Sequence, residues 1–510
     1  MFNSSKFKAL KVREKALMEK AASYQLSTFG LKPNELSVDN FAGGGGASVG
    51  IEDATGRPVD IAINHDPAAI DMHQVNHAHP LTKHYCEDVW EVDPITACKG
   101  RPVGLAWFSP DCKHFSKAKG GKPVDKNIRG LAWVAIRWAL LVPVRILALE
   151  NVEEFMSWGP LIENEKGELQ PCKERKGETF DAFVKLLTTG LKPSHPAFKE
   201  MHKALKLNTV YDINLKMKLV KGLGYDLDYR VLHASDYGAA TIRKRFFLVA
   251  RNDNQAIQWP EKTHGLKSQG LMPFKTGADI IDWSVPVKSI FNRKKPLVEN
   301  TLKRIVKGIN KYVLQNDNPF FVPEQFALPF ITECANASSQ RNMPINEPLR
   351  TICAQVKGGH FALVTCHVVK LRGTNIGHGM DEPLHTISAG GLHLGEVRAF
   401  FAKYNVQDED TVNLKDGNLL DNITSKEELG IFKINGELYQ LVDICLRMFE
   451  PHELFAAQGF PSDYIIARNS LGKKNSKMSQ VARCGNSVSP VVAKALIQAN
   501  LFPAPHTRAA

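Results

Sequence analysis

Apolar and polar positions follow two alternating periods along the first half of the chain. Between Leu36 and Arg251, short apolar runs typical of buried strands are separated by stretches with apolar residues at helical spacing. The strand-like runs are ELSVDNF, VDIAIN, VGLAWFS, VRILALENV, YRVLHAS and RFFLVARN. This alternation predicts an α/β fold, with a mainly parallel sheet and helices on both of its faces.

The pattern changes after this region and divides the chain into segments. We predict a basic helical extension at 1–35, a first domain at 36–255, a β-rich domain at 256–443 and a closing segment at 444–503 that returns to the first domain. Within the first domain, residues 161–215 are polar and rich in Lys and Glu, and we interpret them as an insertion or mobile loop.

The β-rich domain has many Gly and Pro residues, no sustained helical periodicity and a weak internal repeat. The repeat reads EPLRTI from Glu347 and EPLHTI from Glu382. Two copies are too few for a solenoid, so we expect paired strand-turn units.

Composition limits the class of protein and the kind of partner. The 510 residues are enough for two or three domains, and the formal net charge of +12 favours a polyanionic partner. No apolar run reaches the length of a membrane span. The nine cysteines form neither the close pairs of zinc sites nor the pattern of a disulfide framework, so we expect no metal and a reducing cytoplasm.

Residues that can take part in binding or catalysis cluster after the predicted strands, where ligands of such sheets bind. They are the glycine run 43–46, Asn64 to Asp66, Asp88, Cys112 and Glu150. A glycine turn between strand and helix is typical of a nucleotide-type cofactor site or simply of a tight turn, and its spacing disfavours NAD. A cysteine after a strand is either a nucleophile or a buried core residue. The neighbours of Cys112 are polar and basic, which favours the nucleophile.

Six motifs in one order resemble the DNA cytosine methyltransferases that modify carbon 5. In chain order they are DNFAGGGGAS, SPDCKHFSKAKG, LALENVEEF, ASDYGAATIRKRFFLVA, RMFEPHELFAAQGFPSDY and RCGNSVSP. The resemblance covers the chain from about Leu36 to Leu501. It implies a Rossmann-like S-adenosylmethionine-dependent methyltransferase domain and a smaller β-rich target-recognition domain.

The resemblance also implies a reaction: methyl transfer from S-adenosyl-L-methionine to carbon 5 of a flipped-out cytosine, at a specific sequence in double-stranded DNA. Cys112 would attack carbon 6 as a thiolate, and Glu150 would hydrogen-bond ring nitrogen 3 if its pocket keeps the carboxyl protonated. Arg243 and Arg245 would hold the base carbonyl and a phosphate; a surface ion-pair pattern is the alternative. The substrate-binding candidates are Lys113, Ser116 and Asn151.

Candidate cofactor residues lie in or beside the same motifs. They are Phe41, Ala42, Gly43, Gly45, Gly46, Asn64, His65, Asp88, Val89, Pro110, Asn486 and Val488. Phe41 would stack on adenine, and a side chain at Gly45 would occupy cofactor space, so we expect Gly45→Val to weaken cofactor binding in an intact fold. The chain departs from the family pattern at Asn64, Asp111, Lys113 and Thr241, which affects loop geometry, cofactor affinity and rate.

Other functions remain open at this point. They are an RNA cytosine-5 methyltransferase, a catalytically silent DNA-binding or scaffold protein, and a different nucleotide-cofactor enzyme. We expect a monomer in the cytoplasm of a bacterial or phage-infected cell, associated with the nucleoid and possessing no metal. The recognition sequence, the role in restriction-modification and a cognate endonuclease are not specified by the sequence.

Overall fold

The structure, a computed structural model, describes residues 30–111, 130–165, 167–207, 212–291, 293–323, 363–404 and 429–502. For 330–333, 341–344 and 362 it describes the backbone alone. Contacts divide the chain into two compact units, one of residues 1–274 with 458–510 and one of residues 275–457. The functional domains proposed from the sequence, with their own boundaries, stay predictions.

The first unit is built around a seven-stranded sheet. Its strands are β1 (Leu36–Asn40), β2 (Ile61–Ile63), β3 (Lys83–Tyr85), β4 (Val103–Phe108), β5 (Val144–Asn151), β8 (Asp226–His233) and β9 (Lys244–Arg251), in the order β3-β2-β1-β4-β5-β9-β8. Strands β1 to β5 are parallel, and β9 runs antiparallel to both β5 and β8. The predicted mainly parallel α/β sheet is therefore confirmed.

Helices cover both faces of this sheet. They are α1 (Gly46–Thr55), α2 (Pro67–Asn76), α3 (Pro94–Cys98), α4 (Trp133–Leu141), α5 (Glu178–Leu187), α6 (Pro196–Ala204), α7 (Ile213–Lys221), and, near the carboxyl terminus, Lys477–Asn486 and Pro490–Leu501. One core joins Val38 and Leu147 to Trp133 of α4. A second core joins Leu105 and Ile146 to Ile51 of α1. Apolar residues of alternate strand positions thus fill both sides, as a doubly covered sheet requires.

Residues 161–215 are not the mobile loop suggested by their polar composition. They form a hairpin of β6 (Leu161–Glu163) and β7 (Leu169–Pro171), followed by α5 and α6. Phe180, Phe183 and Met201 from these helices are buried in the same core as Trp133. Most of the Lys and Glu residues lie outside the two helices, so the polar composition of the segment hides the apolar face of α5.

Short strands complete the first unit, and an antiparallel sheet forms the second. The first unit adds β10 (His264–Gly265) and β11 (Met272–Pro273). The second contains α8 (Gly277–Ile280), β12 (Lys288–Ser289), α9 (Glu299–Ile309), β13 (Phe330–Glu333), β14 (Arg341–Pro344), β15 (Ala362–Lys370), β16 (His378–Gly379), β17 (Leu394–Lys403), β18 (Ile431–Ile434) and β19 (Glu437–Met448). The sheet order is β12-β19-β17-β15-β16, with β18 beside β19.

Two features of the second unit bear on the sequence analysis. Helix α9 packs Ile305 and Ile309 into a core with Phe401, so the absence of helical periodicity inferred there is wrong for this segment. Strands β15 and β17, which follow the starts of the two repeat copies, pair antiparallel along their full lengths. The copy from Glu347 lies largely outside the described residues.

The closing segment contributes α10 (Pro451–Gln458), α11 (Lys477–Asn486) and α12 (Pro490–Leu501). Helix α12 packs so closely on α1 that a side chain at Gly50 would overlap Ala493. In the described part of the chain, no helix combines the length and the apolar character needed to cross a membrane.

Candidate active site

Most of the predicted site residues lie at one edge of the first unit's sheet. Phe41 follows β1, Asn64 follows β2, Asp88 follows β3 and Pro110 follows β4. Glu150 is the second-last residue of β5. These five strands are parallel, so their carboxyl ends share one edge, where open α/β sheets bind ligands.

The glycine turn has a backbone that needs small residues. Phe41, Gly43 and Gly45 adopt positive φ angles of 66°, 53° and 94°, in the left-handed region that side chains disfavour. A side chain at Gly45 would overlap the Tyr464 hydroxyl and the His77 ring. The expectation that cofactor fills this space is therefore wrong, because the protein's own atoms fill it. Among the described residues other than its chain neighbours, an added Cβ at Gly43 meets only the carbonyl oxygen of Phe41, at 3.7 Å.

The predicted adenine side of the site mixes exposed and buried residues. His65 and Asp88 are exposed, whereas Asn64 is half-buried. The Asn64 Oδ1 accepts from the backbone N–H of Asp66 at 2.9 Å, and the Asp88 Oδ1 accepts from that of Trp90 at 2.9 Å. Both side chains therefore stabilise their own turns. Each uses one oxygen for this, and the second polar atom of the Asn64 amide or Asp88 carboxyl takes no part in that hydrogen bond.

Several remaining cofactor candidates face the protein interior. Ala42, Val89, Pro110 and Val488 are buried, while Asn486 is exposed. The buried candidates can contribute backbone groups and apolar packing. Gly46 lies against the closing segment, because a side chain there would overlap Ser487 and the Val488 carbonyl.

Glu150 is held between two arginines. Its side chain is 9% exposed, and its Oε1 lies 3.2 Å from the Arg245 Nε and 3.8 Å from an Arg243 terminal nitrogen. Arg243 is buried and donates to the Gly485 carbonyl at 2.9 Å. A surface ion-pair pattern is therefore excluded for Arg243, and the arginines face the carboxylate and the closing segment. Lys244, between them, points away to Glu153 at 2.7 Å.

Asn151 fixes the end of the neighbouring strand. Its Nδ2 donates to the Pro110 carbonyl at 3.2 Å, and its Oδ1 accepts from the Val152 N–H at 2.8 Å. This buried amide thus holds the chain just before Cys112. Cys112, Lys113 and Ser116 themselves lie outside the described residues, so their roles stay predictions.

A buried polar network beneath the glycine turn was missed by the sequence reasoning. It joins Asp39, Ser48, His73, His77 and Tyr464. Two histidines at i and i+4 on one helix, with a third at position 84, were the available signal. Among the described residues no group of three or more His, Cys, Asp or Glu side chains is arranged to hold a metal ion.

A doubly covered α/β sheet with a glycine turn after β1 and a carboxylate clasped by arginines defines a cofactor-binding enzyme domain. The family model for the C-5 cytosine-specific DNA methylases matches residues 199–501, and the chain belongs to this family.

Individual proteins that resemble the chain share a quarter of its residues or fewer over the matched regions. Type II methyltransferase M.SacI of Streptomyces achromogenes is 25% identical over 257 residues, which cover 46% of this chain and 53% of that protein. The chain thus spans about half the length of this curated relative. The Dnmt2 methyltransferase of S. pombe is 14% identical with a TM-score of 0.41, covering 92% of this chain and 98% of that one. An EhMeth methyltransferase of Entamoeba histolytica is 14% identical with a TM-score of 0.39, covering 92% and 98%.

Proposed function

We propose that this protein transfers the methyl group of S-adenosyl-L-methionine to carbon 5 of cytosine in double-stranded DNA. The observation that carries the proposal is the clasped Glu150 at the carboxyl edge of the sheet, in a chain of the C-5 cytosine-specific family. The glycine turn lies at the same edge, so a cofactor and a base can meet there.

The residues around the glycine turn fit such a cofactor. Asn40 and Ser487 are buried, and within the described part of the chain neither Asn40's side-chain amide nor the Ser487 hydroxyl has a hydrogen-bond partner. Buried polar groups without partners are rare, and a polar ligand satisfies them. We assign adenine stacking to Phe41 and polar contacts to Asp88. Bound S-adenosyl-L-methionine supplies the methyl group.

The chain's own residues account for activation of the base. Carbon 5 of cytosine is a poor nucleophile, and attack of the Cys112 thiolate at carbon 6 turns it into an enamine-like centre. The negative charge that enters the ring must be compensated at nitrogen 3, and we assign the proton donated there to Glu150 in its protonated form. Arg245 and Arg243 lie at ion-pair distance from the carboxyl, on the side from which the carbonyl of a bound base can be contacted.

We assign the choice of DNA sequence to residues 256–443. The second unit contains most of this segment and has its own antiparallel sheet and core. The net charge of +12 favours binding to the phosphates of a duplex. Rotation of the target cytosine out of the duplex costs a few kcal/mol, which phosphate and base contacts offset.

Methyl transfer from labelled S-adenosyl-L-methionine tests the proposal. The purified protein is incubated with unmethylated genomic DNA or with unmodified tRNA, and the nucleosides are identified by mass spectrometry. We expect labelled 5-methylcytosine in the DNA only, and far less of it with Glu150→Gln over the same time. Label in tRNA alone would establish an RNA methyltransferase, and DNA binding without label a silent binding protein; either result overturns the proposal.

A further inference from the structure

Polar side chains from three distant segments meet beneath the glycine turn. The Tyr464 hydroxyl, from the segment before α11, donates to the carbonyl of Gly44. The same oxygen lies 3.1 Å from Nε2 of His77, the residue that caps the end of α2. The other ring nitrogen of His77, Nδ1, lies 2.9 Å from Oε2 of Glu52 on α1.

Counting donors fixes the direction of the hydrogen bonds at the Tyr464 hydroxyl. A carbonyl only accepts, so the Tyr464 proton is used at Gly44, and burial raises the pKa of Tyr464 well above its usual value, which keeps that proton in place. The His77 Nε2 must then donate to the Tyr464 oxygen, and Nδ1 is paired with the Glu52 carboxyl. His77 therefore bridges Tyr464 and Glu52 through its two ring nitrogens.

Two further histidines extend this array. The His73 ring lies 4.2 Å from the His77 ring, centroid to centroid, and its Nδ1 is 2.9 Å from Nε2 of His84. Burial lowers the pKa of His73 well below its usual value and that of His84 to about 4, so both rings are neutral near pH 7. Glu52 is therefore connected through His77 and Tyr464 to the turn.

The turn and the array are packed without spare space. His77 is 4% exposed, and a side chain at Gly45 would overlap both its ring and the Tyr464 hydroxyl. The carbonyl of Gly44 cannot rotate away without breaking the hydrogen bond from Tyr464. Because a peptide unit is planar, fixing this carbonyl also fixes the direction of the Gly45 N–H.

We propose that Tyr464, His77 and Glu52 are positioning residues that hold the glycine turn in its cofactor-binding shape. The inference rests on the proposed function, in which this turn binds S-adenosyl-L-methionine. It gives the closing segment a role in cofactor affinity: the turn is completed only when Tyr464 is in place. The positioning residues act on ground-state binding of the cofactor, and the rate at saturation depends on other groups.

Removal of one hydroxyl tests this role. In Tyr464→Phe, we expect the dissociation constant for S-adenosyl-L-methionine, measured by calorimetry without DNA, to rise by about tenfold, the effect of one buried hydrogen bond. The KM for the cofactor should rise in parallel, with kcat at saturation changing far less. His77→Leu should behave like Tyr464→Phe. His77→Gln, whose amide can donate to the Tyr464 oxygen, should restore much of the affinity.

Tyr225→Phe is the matched control. Tyr225 is a buried tyrosine of the same unit whose hydroxyl donates to the Val144 carbonyl at 2.6 Å, at the opposite end of β5. Its loss should lower the thermal midpoint but leave cofactor affinity unchanged. Equal affinity in Tyr464→Phe and wild type, or an equal loss in Tyr225→Phe, overturns the positioning role alone. A wild-type protein that binds no cofactor overturns the proposed function and this inference together.

Discussion

Glu150 shows how a reactive carboxyl is fixed at the end of a strand. It lies where β5 meets β9, whose antiparallel pairing sets Glu150 opposite Phe247 and brings Arg245 within 3.2 Å. The Glu-Asn-Val motif identified the residue from the sequence. Its clasp by Arg243 and Arg245 could not be predicted, because it depends on the register of two strands about a hundred residues apart in the chain.

Replacement of Glu150 by Gln should separate binding from chemistry. We expect the single-turnover rate of methyl transfer to fall by about 10²-fold or more, since general acid assistance is typically worth that much. Cofactor affinity by calorimetry should stay near the wild-type value. A wild-type rate in this variant would contradict the role given to the carboxyl.

Two glycines of the turn should respond differently to a side chain. Gly45→Val should lower the thermal midpoint strongly, because the added atoms overlap Tyr464 and His77. Gly43→Val meets only the Phe41 carbonyl among the described residues and should mainly weaken cofactor binding, with a smaller loss of about 1–2 kcal/mol for its left-handed backbone. Thermal scans and calorimetry on both variants check this; the reverse order would show that the open side of the turn is wrongly assigned.

Asp39 should make stability depend on pH. Burial raises its pKa to about 7 despite a 2.7 Å hydrogen bond from Ser48, whereas the unfolded chain titrates near 3.8. Between these values the folded chain holds the proton and the unfolded chain does not, so this carboxyl destabilises the fold increasingly as pH rises from about 4 to 7.

Asp39→Asn removes this titration. The thermal midpoint of the variant, measured relative to that of wild type, should rise between pH 5 and pH 8. The reason is that only wild type must bury a carboxylate at the higher pH. Comparing the two proteins cancels the groups that titrate in both. A difference that is constant with pH would show that Asp39 is ionised throughout.

At the scale of elements, the apolar runs predicted six strands of the central sheet, and the structure confirms them. Strand β3, of sequence KHY, was missed because its residues are polar and partly exposed at the sheet edge. Helices α5 and α6 were missed because the polar, Lys- and Glu-rich composition of the whole segment 161–215 hides the apolar faces of the two helices. Tertiary burial decides such segments, and composition does not reveal it.

Phe183 on α5 tests whether this region belongs to the core. Its ring is fully buried, with centroids 5.9 Å from Trp133 and 6.2 Å from Trp158. Phe183→Ala should lower the free energy of unfolding by about 3–5 kcal/mol. Lys185→Ala, on the exposed face of the same helix, should change it by less than about 0.5 kcal/mol. Similar small effects in chemical denaturation would indicate that α5 does not contribute to the folded core.

At the scale of the whole molecule, the chain has two units with separate hydrophobic cores. The first contains the sheet edge with the glycine turn and Glu150, and the second contains most of the segment to which we assign sequence choice. Six ordered motifs sufficed to infer the family that the family model shows. The target sequence could not be inferred, since base contacts depend on loop conformations that no local pattern determines.

The covalent adduct tests the central claim most directly. If Cys112 attacks carbon 6, release after methyl transfer requires loss of the carbon 5 proton, and fluorine at that carbon cannot leave in its place. Duplex DNA with 5-fluorocytosine at the target, incubated with the protein and S-adenosyl-L-methionine, should therefore give a protein–DNA complex that survives denaturing electrophoresis. Cys112→Ser should give neither adduct nor methylation, because a hydroxyl is far less ionised than a thiol near neutral pH. Methylation at the normal rate by Cys112→Ser would contradict the account.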